Sequence, residues 1–93
     1  MKLYKAKDSF AVREFDGDTV LIPIGEQVFV NNSLITLNES ALLLWQALEN
    51  EMNEAQLIKV LTDEFDVSTE QAATDIDLFL NKLIGAGALE IRG

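Results

Sequence analysis

Ninety-three residues carry 16 acids against 7 bases, a formal net charge of -9, and contain neither cysteine nor histidine. That composition excludes disulfides, thiolate zinc sites, iron–sulfur clusters, a cysteine nucleophile and a histidine general base, so no catalytic residue, metal or cofactor is expected. The charge also argues against nucleic acid and anionic membranes, both of which attract clustered Lys and Arg.

The length suggests one domain over 1–93, with a modest core. The opening "MKLYKAKDSF" has three lysines and no apolar run behind them, so it does not read as a secretory signal. Residues 1–8 are expected to be a flexible N-terminus. The longest strictly apolar run, Ala41–Trp45, is far too short to cross a bilayer.

"FAVREF" (Phe10–Phe15) and "TVLIPI" (Thr19–Ile24) are rich in β-branched and aromatic residues, and "DGD" between them signals a hairpin. Pro23 cannot donate to a ladder and belongs at an edge or a strand's end. After Gly25, "QVFV" and "SLITL" are extended again, split by Asn31-Asn32. A small antiparallel sheet of three strands is expected, with room for an extra short hairpin. Three helix starts follow, each with a cap: Asn38 with a Leu37–Leu42 staple, Asn53 with Gln56 and a Met52–Leu57 staple, and Ser68 with Gln71 as a capping box. Gly85 or Gly87 should stop the last helix, and "ALEI" reads as a short extended tail. Apolar positions repeat with helical spacing: Leu57, Ile58, Leu61 and Phe65, then Ala72, Ala73, Ile76, Phe79, Leu80, Leu83 and Ile84. The fold class is therefore α+β and winged helix-turn-helix-like, an N-terminal three-stranded antiparallel sheet followed by three helices.

"ITLNESALLLWQAL" is a strand–cap–helix corner whose leucines and single tryptophan read as core. Such a corner sets the preceding strand at a fixed angle beside the helices. If that strand lies at the sheet edge, its free N–H and C=O groups can accept an extended peptide. On a wheel of the third helix, Gln71, Asp75, Leu78 and Lys82 flank the apolar arc, with Phe79 at its border. Leu78 is either a solvated stray or one wall of a groove. The acidic groups Asp63, Glu64, Asp66 and Glu49, Glu51, Glu54 fall at helix ends and loops and lack the alternation and central glycine of a calcium loop, which makes them solvating or dipole-matching residues. "GAG" (Gly85–Gly87) sits at a helix's end, where a cap is expected rather than a phosphate site.

With "LNESALLLWQAL" followed by "EFDVSTEQAATDIDLFLNKLIGAGAL", the chain resembles the PqqD-like family, small peptide-binding domains also called RiPP recognition elements. The likeness runs from Phe10 to Leu89. It lies in Leu37-Asn38, Trp45, the Asn53 helix, and Asp75, Phe79, Leu80 and Leu83 of a D-x-x-x-F-L-x-x-L helix ending in glycine. The resemblance implies a winged helix that binds the leader of a ribosomally made precursor peptide instead of DNA. The leader would add as a strand and pack on the third helix while a partner enzyme, often a radical S-adenosylmethionine protein, modifies the rest of the peptide. Carried over residue by residue, the strand is Ser33, Leu34, Ile35 and Thr36, and the helix wall is Asp75, Leu78, Phe79 and Lys82. Which part of 25–37 forms the open edge is undecided at this point.

The resulting expectation is a non-catalytic cytoplasmic adaptor in natural product biosynthesis, with a weak homodimer through its open edge as a side consequence. The alternatives are a winged-helix transcription regulator or another protein–protein interaction module. A regulator is disfavoured because the third helix carries Glu70, Asp75 and Asp77 against Lys82, the wrong sign for a recognition helix.

Overall fold

The computed structural model describes residues 1–24 and 35–93. Ser33 and Leu34, and the extended segment anticipated at "QVFV", lie outside the described residues. In chain order come β1 (Leu3–Ala6), β2 (Phe10–Phe15), β3 (Asp18–Pro23), β4 (Ile35–Thr36), α1 (Glu39–Ala47), α2 (Glu54–Glu64), α3 (Thr69–Ala86) and β5 (Leu89–Arg92). The architecture is α+β, with antiparallel sheets around a helical half.

The β2–β3 hairpin turns on Asp16 and Gly17, both with positive φ (57° and 86°), and pairs Phe15 with Asp18. Two left-handed residues in a two-residue loop match the right-handed twist of the strands, which is why an Asp-Gly pair sits there. Pro23 ends β3 opposite Phe10, where its missing donor matters least.

Each helix begins on the expected cap. Asn38 accepts from the Ala41 N–H (2.9 Å). Asn53 and Gln56 form a reciprocal capping box, each side chain accepting from the other's N–H at 2.8 Å. Ser68 accepts from the Gln71 N–H (3.1 Å), but the return half of the expected box is absent. The Gln71 side-chain amide instead donates to Asp75 Oδ1, one turn on (2.9 Å). Gly87, not Gly85, stops α3: at φ 72° it takes the left-handed conformation, and the Gly87 and Ala88 N–H groups bond back to Ile84 and Leu83.

Within the stretch 1–8, expected to be a flexible N-terminus, Leu3–Ala6 form the strand β1. β1 pairs with β5 along all four of its residues, Leu3 opposite Arg92 through Ala6 opposite Leu89. On its other side Tyr4 exchanges two hydrogen bonds with Met52 (2.8 and 2.9 Å), and the Ala6 N–H donates to the Leu48 carbonyl. The chain's two ends thus close a second small sheet, and the anticipated single sheet becomes two: β1–β5, and β2–β3–β4 in that order.

One buried cluster joins the parts. Phe10, Leu21 and Leu37 from the hairpin side meet Leu44, Trp45 and Leu48 of α1, Leu57 and Leu61 of α2, and Ile76, Phe79, Leu80 and Leu83 of α3. Leu37, Leu44, Trp45 and Leu48 of the strand–cap–helix corner fill this core, with Leu42 and Met52 packed on its margin, whereas Leu43 stays outside it. Among the described residues no helix is long and apolar enough to cross a membrane.

Candidate functional site: an open strand edge beside the third helix

β4 has a neighbour on one side only among the described residues. Its pairing with β3 sets Ile35 opposite Leu21 and Thr36 opposite Val20, and the Leu37 N–H donates to the Thr19 carbonyl (2.8 Å). In an antiparallel ladder, hydrogen-bonded and non-bonded pairs alternate. Leu37 and Ile35 therefore turn their main-chain groups toward β3, and Thr36 turns its N–H and C=O to the open side. That is the geometry an added strand requires.

α3 forms the facing wall. A cleft of about 200 Å³ runs between the two, lined by Ile35, Thr36, Asn38, Ser40, Ala41, Leu44, Asp75, Leu78, Phe79 and Lys82. All six described residues singled out from the sequence therefore border one hollow. Phe79 is buried and belongs to the core, so it forms the base, whereas Leu78 is 60% exposed and stands as the rim. Sequence reasoning missed the α1 contribution: Asn38, Ser40, Ala41 and Leu44 close the floor. The only local signal for it is that α1 starts two residues after β4, so its first turns must lie beside whatever docks there.

The cleft carries two opposite charges. Asp75 and Lys82 are seven residues apart on α3, about 10 Å along the axis. Gln71 orients Asp75, and neither Asp75 nor Lys82 has an ion-pair partner among the described residues. The cleft is thus amphiphilic, with an acid toward one end, a base toward the other, and Leu78 and Phe79 between.

Residues 18–89 match the family described as Coenzyme PQQ synthesis protein D (PqqD). The chain belongs to the PqqD family. The matched span begins with β3 and ends in β5, so it includes both walls of the cleft. Among solved structures, this PqqD-family chain is similar to "TbiB1 in Complex with the TbiA(beta) Leader Peptide", at 20% identity and a TM-score of 0.69, covering 92% of this chain and 94% of the other. That likeness is one of fold. No curated protein matches the chain.

Two acids elsewhere on this PqqD-family chain make ion pairs. Lys59 pairs with Asp63 one turn along α2 (3.2 Å), and Arg92 pairs with Glu51 (2.7 Å), tying β5 to the segment before α2. Among the described residues no group of three or more acids could hold a metal ion.

One contact on α3 is unfavourable. Glu54, at the start of α2, lies against Asp77; partial burial, then the hydrogen bond and charge of Asp77, raise the Glu54 carboxyl above its ordinary value of 4.5. A raised carboxylate pKa means the folded state holds the proton more tightly, so stability present below that ordinary value is lost as pH rises through the folded one. Asp77→Asn should therefore raise the melting temperature at pH 7. The gain should vanish below pH 4.5, where Glu54 is protonated with or without Asp77. Melting curves of both proteins at the two pH values check this; an equal shift at both would assign the effect to something other than the carboxylate pair.

Proposed function

We propose that this PqqD-family chain is a non-catalytic adaptor that binds the leader of a ribosomally made precursor peptide and presents it to a modifying enzyme in the cytoplasm. The leader adds as a strand along β4, and a radical S-adenosylmethionine protein is the expected class of enzyme. The observation that carries this reading is the outward-facing main chain of Thr36 beside the amphiphilic wall of α3. Family membership supports it, and so does the likeness in fold to a protein solved with a leader peptide bound. A chain with no histidine and no cysteine also suits holding better than acid–base or nucleophilic chemistry.

Each part of the cleft then has a task. Thr36 supplies directional main-chain bonds. Leu78 and Phe79 receive apolar leader side chains, while Asp75 and Lys82 select for charge and register. The open edge also provides a route to weak pairing of two copies.

The experiment is a titration of the isotope-labelled chain with synthetic leaders from precursors encoded beside its gene, following amide shifts along β4 and α3. Thr36→Pro is the decisive variant. It deletes the outward N–H and leaves intact the ladder bonds to β3, which Ile35 and Leu37 make. Affinity should fall about 2–10-fold, the value of one net hydrogen bond, at nearly unchanged melting temperature. A leader that binds Thr36→Pro as tightly as the parent does not add to this edge.

A further inference from the structure

A second hollow adjoins the first. It measures about 330 Å³ and is lined by Leu61, Phe65 and Val67, with Asn38, Glu39, Ser40 and Asp75. Asn38, Ser40 and Asp75 also line the β4–α3 cleft, so the two hollows share a rim. β4 advances from Ile35 toward Asn38, and α3 advances from Asp75 toward Lys82. The second hollow therefore opens at the Asp75 end of the cleft, remote from Lys82.

The chemistry of the two hollows differs. The first holds one acid and one base. The second holds Glu39 and Asp75, with no cation, above an apolar floor made by the end of α2 and the turn into α3. Leu61 is core, and Phe65 and Val67 pack against that core while remaining partly exposed. A hollow with an apolar floor and two carboxylates on its rim suits a bulky apolar side chain next to a lysine or arginine. The overall charge of -9 favours the same occupant.

We infer that the peptide groove continues past β4, across the Asn38–Ser40 corner, into this second pocket, which holds an apolar side chain and an adjacent basic one from the same peptide. The inference rests on the adaptor reading above and adds a recognition element to it. A bound strand covers the roughly 10 Å from Lys82 to Asp75 with about three residues. The apolar–basic pair thus follows directly on the strand segment, at the end away from Lys82. A peptide lacking the pair still adds to β4 but loses its anchor, so the pocket distinguishes leaders that share an extended segment.

The test is selection of a random peptide library on the full chain, followed by titration of the enriched peptides into isotope-labelled protein. The expected winners carry an apolar residue beside lysine or arginine at one end of an extended stretch, and they shift the amides of Phe65 and Val67 together with that of Thr36. Glu39→Lys, an exposed change in the first turn of α1, should weaken them about fivefold, and exchanging their basic residue for glutamate should restore binding to that variant. If the winners shift Thr36 and Leu78 but leave Phe65 and Val67 unmoved, and Glu39→Lys does not affect them, the second pocket is not part of the groove although the adaptor reading stands. If no peptide is enriched, or the winners perturb neither hollow, the adaptor reading falls and this inference with it.

Discussion

Leu78→Glu removes leader binding without unfolding the protein. Leu78 is 60% exposed on α3, at the rim of the cleft, so the folded chain gains little from it. Substitutions at such positions change stability by about 0.5 kcal/mol or less. A leader docked against α3 buries that side chain, and complete burial of a leucine contributes about 1.5–3 kcal/mol. Removing it weakens binding about 10–100-fold, and glutamate adds a carboxylate one turn from Asp75 that the bound peptide must desolvate. Leu78→Ala isolates the apolar part of the effect and should lie between the two. Anisotropy titration of a labelled leader, alongside thermal melts, measures both quantities. An unchanged affinity would place the leader away from this wall, whatever the shape of the cleft.

The largest loss of stability is expected at Leu48→Ala. Leu48 is fully buried and among the largest side chains with no access to water. It closes α1 with an N–H bond to the Leu44 carbonyl (3.0 Å), and its own carbonyl accepts from Ala6 (2.8 Å), so it joins the helical core to β1. Truncating a buried leucine costs about 2–5 kcal/mol, because the lost transfer free energy is joined by a cavity that neighbours fill only in part. Small domains have about 5–15 kcal/mol in total. The melting temperature should fall by at least about 10 °C, and the amide of Ala6 should exchange faster as β1 loosens. Ile91→Ala, at a position 45% exposed in β5, is the control and should cost far less. Equal losses at the two sites would mean that the β1–β5 sheet, rather than the central cluster, limits stability.

The legible parts of this fold share a short range. Asn38, Asn53 and Ser68 were identifiable as caps because a cap binds an N–H three residues away, within a single glance along the chain. Asp16-Gly17 was identifiable as a turn because the left-handed conformation excludes most other residues. The stripe of α3 followed from helical periodicity, and Leu78 was conspicuous because it breaks that stripe. Gln71 was misread for a related reason: its amide oxygen can accept from the Ser68 N–H behind it, its NH2 can donate to the Asp75 carboxylate ahead, and sequence does not rank the two.

By itself, then, the sequence determined the sign of the surface, the absence of thiol and imidazole chemistry, the helices with their starts, and the residues of α3 that line the cleft. The tertiary structure decided which strand has one neighbour among the described residues, what floors the cleft and which strand β1 joins. β1 meets β5 only because residues at opposite ends of the chain converge on one core, and nothing local in "LYKA" encodes that pairing. The open side of β4 is likewise a property of what lies beside it. Caps and turns are settled by neighbours in the chain, whereas edges and clefts are settled by neighbours in space, and those exist only once the apolar surface has been buried.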